Sequence, residues 1–311
     1  MTSASSVSFF VDSARETLRA RGPDAVSWLN GLVSADLRGV APGRGAYALL
    51  LTKTGKIRTD TDVLATRDGL LIGVAQGTGD AVRELLDAHL VMEDVELERA
   101  PGVVWVRLIG EGAARLSEAL SEQALAHGAI DWLGTGNGAA LALEEGALAR
   151  LAELDPGAVA LDSEGWRLLR LRHGFPEFGA DYGSDDNPHE AALDRRAVSW
   201  DKGCYLGQEV VCMQDLRGKV KRRLAVLEIS GTEPPAPDSP VAVEGSDEPV
   251  GVIRSAVVRD ATGTGGTGAA PTVLAFARLK APHFDPHVEG DAPTRFSVQG
   301  RAARIVALPL P

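Results

Sequence analysis

The sequence predicts an α+β protein with an all-β C-terminal part, and three features carry that expectation. Helical and strand-like segments alternate through the first half, and its strands read as meanders joined by Gly-containing turns. From Arg222 onward only short strand-like runs remain, separated by loops rich in Pro, Gly and Thr. In order, Pro23 and Asp24 supply a helix start, and Ala25, Val26, Leu29 and Leu32 give the segment to Leu32 an apolar stripe at helical spacing. Tyr47 to Leu51, a turn and re-entry through TKTGKIRTD, Asp62 to Thr66 and Leu70 to Ala75 read as antiparallel strands. Val82, Leu85, Leu86 and Leu90 mark a helix over Gly79 to Leu90; Val103 to Ile109 reads as a strand and Ala113 to Ala126 as a helix. The runs LAVLEI, VAV, GVIRSAVV and VLAFARL build a small β domain, with Gly263 to Gly268 as a loop tip inside it. The change of texture divides the chain into domains 1–222 and 223–311.

The 311 residues carry 32 Lys or Arg against 43 Asp or Glu, a net charge of −11 that opposes general nucleic-acid binding. No stretch approaches the roughly eighteen apolar residues of a membrane span, and no basic segment leads into a long apolar run at the N-terminus, so a cytoplasmic protein is expected. Cys204 and Cys212 have neither the spacing of a zinc site nor the number of a disulfide scaffold, and suit a reducing compartment. No GxxxxGK[ST] occurs, and neither Gly134 to Gly138 nor Gly263 to Gly268 lies between a strand and a helix as a phosphate loop requires. His173 and His189 have no partner at ligand spacing, so no metal is expected.

Chemistry concentrates in residues 166–224. In Lys202-Gly203-Cys204-Tyr205-Leu206-Gly207-Gln208-Glu209 a thiol lies between glycines, beside a lysine and just before a helix through Glu209, Val210 and Met213. A cation and a helix N-terminus favour thiolate, whereas the usual fate of a free cysteine is a small packed side chain; both readings stand. Cys212, in VVCMQDL, has the apolar neighbours of a packed position. Glu190 reads as a first-turn helix acid, with Asn187 as cap and Pro188 at the first position. Arg217 to Arg223, RGKVKRR, places five cations in seven residues. Such a run is either a solvated strand edge or a surface for carboxylates, and it is too short and too poor in aromatics for a tRNA contact.

KGCYLGQE resembles the K-G-C-[FY]-x-G-Q-E signature of YgfZ-type folate-binding proteins, the iron–sulfur cluster assembly and repair branch of the glycine-cleavage T-protein superfamily. RGPDAVSWLNGLVSADL resembles the superfamily's opening segment, LLLTKTGKIRTD its strand-turn-strand ending in an acid, and Pro188-His189-Glu190-Ala191 its P-x-E-A element. The resemblance implies a T-protein-like fold of interlocked α+β subdomains around a central folate hole, with a β-barrel at the C-terminus. It implies tetrahydrofolate as ligand, Glu190 accepting the pterin's N3–H and 2-amino group, and Arg217 meeting the folate's glutamate carboxylates. Asp60 stands where the transferases carry adjacent acids, but here Thr59 replaces the first, and Asp62 takes the role if the register shifts by two. With a pocket of that kind, Tyr47 at the start of the preceding strand is expected to line it by stacking on the pterin. Cys204 becomes the working thiol, and since clusters normally take four thiolates, any cluster contact needs a partner's cysteines. The implied function is an accessory protein for iron–sulfur cluster assembly or repair, and thereby for iron–sulfur enzymes such as tRNA-modifying ones, with client or assembly proteins as transient partners. A folate-dependent aminomethyltransferase is the alternative, opposed by Thr59 and Cys204. A scaffold with a vestigial pocket, docking through RGKVKRR, is the third reading.

Overall fold

The computed structural model describes residues 7–218, 220–259, 271–284 and 294–306. The chain divides into two compact units, Met1–Asp162 with Arg195–Val210 and Ser163–Asp194 with Val211–Pro311. The first unit runs through β1 (Ser8–Asp12), β2 (Arg15–Arg21), α1 (Ala25–Asn30), β3 (Gly43–Arg44), β4 (Ala46–Leu51), β5 (Ile57–Ala65), β6 (Gly69–Ala75) and α2 (Gly79–Asp87). It continues through β7 (Glu96–Arg99), β8 (Val103–Ile109), α3 (Ala113–Ala119), β9 (Ala124–Ala129), β10 (Gly138–Glu144), α4 (Leu148–Leu154) and β11 (Val159–Ala160). These strands form a six-stranded sheet, β11-β1-β8-β10-β9-β3, and a five-stranded sheet, β4-β5-β6-β2-β7. Trp28 and Leu29 of α1 and Val82 and Leu86 of α2 pack on Leu18, Leu50 and Ile72 of the five-stranded sheet. Leu116 of α3 and Leu151 of α4 pack on Val106, Leu108 and Leu141 of the other. Each sheet thus buries one face under its helices.

Two elements differ from the sequence expectation. The helix expected over Ala113 to Ala126 ends at Ala119, and its alanine-rich remainder pairs with β10 as β9. Beyond the helix end the amides of Gln123 and Ala124 both turn back to the Leu120 carbonyl, forming the turn that leads into β9. Gly128 then lets β3 close in: a Cβ there would lie 2.7 Å from the Gly45 amide nitrogen. The second difference is β5, which is continuous from Ile57 where the sequence reads a turn and a strand beginning at Asp62. Thr59, Asp60, Thr61 and Asp62 are therefore inside a strand, and all four are buried.

The second unit holds α5 (Ser163–Arg172), most of α6 (Gln208–Arg217), and a closed barrel. The barrel strands are β12 (Arg222–Ser230), β13 (Pro240–Val243), β14 (Pro249–Arg259), β15 (Thr272–Lys280), β16 (Arg295–Val298) and β17 (Arg301–Ile305). Their order around the barrel is β12-β15-β14-β13-β16-β17, closed over Leu227, Ile229, Val241, Ile253, Phe296 and Val298. A bulge between Ile253 and Ser255 shifts the inside–outside alternation by one. Ala256 then packs with the interior while Ser255 donates to the fully buried Asp181, whose other oxygen takes Arg170. The glycine cluster Gly263 to Gly268 lies outside the described residues. No helix among the described residues is long and apolar enough to cross a membrane.

The sheets of the first unit share a buried ionic cluster. Arg107 on β8 donates to Asp12 on β1 at 2.9 Å and to Asp62 on β5 at 3.1 Å. Arg15 on β2 grips Asp60 with two parallel bonds of 2.8 and 2.9 Å and reaches Asp12 at 3.3 Å. The Trp132 indole donates to Asp62 at 2.7 Å, and the Arg107 guanidinium stacks 4.5 Å from that ring's centroid.

Burial pulls the Asp12 carboxyl upward, but Arg107 and Arg15 together pull harder, so it ionises below its ordinary 3.8. A carboxyl with a depressed folded pKa contributes stability present above the unfolded value and lost as pH falls through the folded one. Asp12→Asn is expected to cost about 3 to 5 kcal/mol at pH 7, the usual cost of breaking a buried ion pair. Urea unfolding at pH 7 and pH 3 should show the gap between variant and parent narrowing at the lower pH. A gap that does not change removes the ionised Asp12 from the fold's support.

Candidate functional site

Of the expected site residues, Tyr47, Asp60 and Lys202 to Glu209 lie in the first unit, and Glu190 and Arg217 in the second. The β4–β5 register pairs Tyr47 with Asp62 and Leu49 with Asp60, so Tyr47 lies diagonally across from Asp60 and its hydroxyl donates to that carboxylate at 3.0 Å. Asp60 is 2% exposed, with both oxygens in the grip of Arg15, and Tyr47 is 8% exposed. Asp62, the alternative acid, is held in the same way by Arg107 and Trp132. These acids are fixed anions inside the sheet packing rather than groups on an open surface. Sequence reading missed Asp12, Arg15, Arg107 and Trp132. The available signal was a charge inside an otherwise apolar strand, as in SFFVD and VVWVRLI.

The KGCYLGQE segment is built into the first unit at every second or third residue. Lys202 is buried, and its ammonium donates to the carbonyls of Asn30, Ala35 and Val33 at 2.6, 2.7 and 2.8 Å, with the Asn30 amide oxygen at 3.2 Å. It therefore closes the C-terminal end of α1, where orphan carbonyls favour a cation. Burial, partly offset by Asp36, pulls this ammonium down to about 8, so it remains mostly charged at neutral pH. Its protons are spent on carbonyls, which makes Lys202 an anchor for the loop. Tyr205 is buried, with its ring 5.4 Å from the Lys202 nitrogen. Gly207 has a φ of +81° and lies so close to the β4–β5 turn that a Cβ would stand 2.4 Å from the Thr52 carbonyl oxygen. Gln208 opens α6, and Glu209 is an exposed first-turn acid in the favourable position for the helix dipole. Between these anchors Gly203 and Cys204 are exposed. The packed-cysteine reading of Cys204 therefore does not hold. Cys212, on α6, is half-buried.

Glu190 sits in a single turn, where the sequence reads a helix start. The cap pairing is present in reciprocal form: the Glu190 amide donates to the Asn187 side-chain oxygen at 2.9 Å, and the Asn187 amide donates to Glu190 Oε2 at 3.1 Å. The turn does not propagate, because Ala192 has a φ of 57°, in the left-handed region. Within the same unit, Arg222 Nε donates to Glu190 Oε1 at 3.2 Å, and Leu224 N–H donates to the Glu190 carbonyl at 2.9 Å. Gln214 on α6 accepts from the Asn187 amide group at 2.8 Å, and Asp215 pairs with His189 at 3.3 Å. The carboxylate is thus fixed in place and held beside a cation, with about four acceptor positions on its two oxygens. That donor and acceptor chemistry fits a pterin edge, which offers two parallel N–H donors.

The RGKVKRR run divides between roles. Arg222 also donates to Asp186, and Arg223 pairs with Asp194 at 2.9 Å, so these two serve their own unit and are not a solvated edge. Arg217 ends α6, is exposed, and makes no ion pair among the described residues. Among the described residues no group of three or more His, Cys, Asp or Glu side chains is placed to hold a metal ion.

Residues 3–152 match the model of the GCVT N-terminal domain family. The tRNA-modifying protein YgfZ of Yersinia pestis (strain Pestoides F) is 25% identical over 227 residues, which cover 69% of each chain. A chloroplastic protein of Arabidopsis thaliana is 23% identical over 249 residues, 73% of this chain and 57% of that one. In fold, the chain is similar to the crystal structure of glycine cleavage system aminomethyltransferase T from Bartonella henselae. The TM-score is 0.73 at 19% identity, over 98% of this chain and 86% of that one. The architecture is therefore the T-protein-like α+β fold with a six-stranded C-terminal barrel.

The loop's construction separates its two glycines. Gly203 has an ordinary φ and open space around it, so Gly203→Ala should change stability by no more than about 0.5 kcal/mol. Gly207→Ala should cost at least about 1 to 2 kcal/mol, from the left-handed backbone alone. Lys202→Met should cost about 1.5 to 3 kcal/mol, through loss of hydrogen bonds from a charged donor. Urea unfolding of the three variants checks the pattern, and equal losses at Gly203 and Gly207 would contradict it.

Proposed function

We propose that this chain, whose residues 3–152 match the model of the GCVT N-terminal domain family, binds a reduced folate and uses the Cys204 thiol to support assembly or repair of iron–sulfur clusters in other proteins. The observation that carries this reading is the KGCYLGQE loop. Lys202, Tyr205 and Gly207 are each built into the first unit, and the thiol is left facing outward on that fixed frame. A thiol meant only for packing needs no such frame, whereas one that meets a macromolecular partner must be both accessible and held in place.

Glu190 would hold tetrahydrofolate by accepting from the N3–H and 2-amino group of its pterin, with Arg222 and the Asn187 amide fixing the direction of the carboxylate. When bound, a reduced folate supplies ring nitrogens that carry one-carbon units. The Yersinia relative is named a tRNA-modifying protein, which fits clients that act on tRNA. Aminomethyl transfer is the weaker reading. It asks Asp60 to act on a folate nitrogen, and that carboxylate is buried in the clamp of Arg15 and Tyr47, beside Thr59 in place of a second acid.

Anaerobic calorimetric titration with tetrahydrofolate should show Glu190→Ala weakening binding by about 1.5 to 3 kcal/mol, the value of hydrogen bonds to a charged group. Unchanged affinity would take Glu190 out of the site. Cys204→Ser should bind folate as the parent does, yet fail to restore iron–sulfur enzyme activity in cells lacking the native protein. Full restoration would end the thiol's role.

A further inference from the structure

The β4–β5 turn that receives Gly207 is also the most one-sidedly charged loop beside the exposed thiol. From Thr52 to Thr59 the sequence TKTGKIRT holds Lys53, Lys56 and Arg58 and no acid, in a chain with a net charge of −11. Lys53 and Arg58 are exposed, and neither side chain has a hydrogen-bond or ion-pair partner among the described residues. The turn is closed by its own hydrogen bonds: the Thr52 N–H donates to the Lys56 carbonyl, the Lys56 amide donates to the Thr52 hydroxyl, and the Gly55 N–H donates to the Thr52 carbonyl. It is also pinned to the thiol's own segment. Gly207 lies against the Thr52 carbonyl, and a Cβ on Gly55 would meet the Val210 side chain at 3.0 Å. Val210 itself is 38% exposed, an apolar group between the turn and the start of α6. The exposed acids on the thiol's segment are Asp201 and Glu209.

We infer that this face of the first unit, formed by Lys53, Arg58, Val210 and the Cys204 loop, is a docking surface for an acidic face of a client protein. The inference rests on the reading of Cys204 as the working thiol. Unpaired cations on such a turn leave their charge to a partner, and such a field raises encounter rates with an anionic partner while costing the fold nothing. The exposed valine between them gives that partner an apolar contact within a polar rim. A nucleic-acid partner is disfavoured, because the turn has no aromatic residue to stack on bases.

The test uses the full chain with Cys212→Ser, so that Cys204 alone reports, and two disulfide probes: dianionic 5,5′-dithiobis(2-nitrobenzoate) and neutral 4,4′-dithiodipyridine. The ratio of their rates should fall about 3- to 10-fold in the double variant Lys53→Glu, Arg58→Glu, with unchanged thermal unfolding, and should fall in the parent as salt shortens the reach of the charges. A ratio indifferent to both changes overturns the electropositive surface. In cells lacking the native protein, the same double variant should restore iron–sulfur enzyme activity poorly, and full restoration overturns the docking role. Restoration by Cys204→Ser in that assay would instead bring down the thiol reading alone, with the rate ratio still deciding the surface charge. Binding of tRNA at 150 mM salt that the charge reversal abolishes would overturn the protein partner in favour of nucleic acid.

Discussion

The first unit depends on a buried cluster in which three carboxylates, Asp12, Asp60 and Asp62, share two guanidinium groups, Arg15 and Arg107. Charge does not balance there, and the remaining negative charge is met by neutral donors: the Tyr47 hydroxyl on Asp60 and the Trp132 indole on Asp62. Buried ion pairs add little net stability, because desolvation consumes most of their attraction, but losing one partner is costly. What the cluster supplies is register. A shift of β5 by one residue would turn Asp60 and Asp62 toward Leu29, Val33, Val82 and Leu86, among which Thr59 and Thr61 now lie. A carboxylate there would have no cation to meet.

That register has consequences far from the cluster. It fixes where β4 ends and β5 begins, and so places the turn at Thr52 to Lys56 against which Gly207 and Val210 pack. Lys202 fastens the same segment to the end of α1. The position of the Cys204 loop is thus determined by one ionic cluster through a strand and a turn, and by one ammonium through a helix terminus. Neither determinant touches the thiol.

This chain of causes explains what could be read from the sequence. The strands at Tyr47 to Leu51 and Leu70 to Ala75, the helices beginning near Ala25 and Gly79, and the strand-rich texture after Arg222 are local patterns of spacing and turn residues, and they are found where those patterns place them. The ionic cluster was not legible, because its five charges come from four strands and two sheets, and no short window shows that they meet. β9 was misread for a related reason: an alanine-rich segment suits a helix until a neighbouring strand supplies its hydrogen bonds. Lys202 was visible as a cation beside a thiol, but only the fold shows its protons directed at the carbonyls of Asn30, Val33 and Ala35 at and beyond the end of α1. Glu190 falls between these cases. Its pairing with Asn187 follows from the spacing of an acid three residues after a capping residue, while the stop at Ala192 belongs to the tertiary structure.

Two acids of similar standing in the sequence therefore carry different chemistry. Asp60 meets its arginine through two parallel bonds with a phenol added, an arrangement that uses the carboxylate's directional acceptor positions internally and leaves it 2% exposed. Glu190 meets its arginine through Nε at 3.2 Å and a backbone amide on the other oxygen, so one guanidinium does not cap both oxygens face to face. A bidentate arginine presents to a carboxylate the same pair of parallel donors that a pterin edge presents, and the two cannot occupy one carboxylate together. By that exclusion Asp60, whose two oxygens are both held by Arg15, is not open to such a pair of donors. Asp60 holds the sheets in register, while Cys204 is the thiol that the first unit leaves exposed.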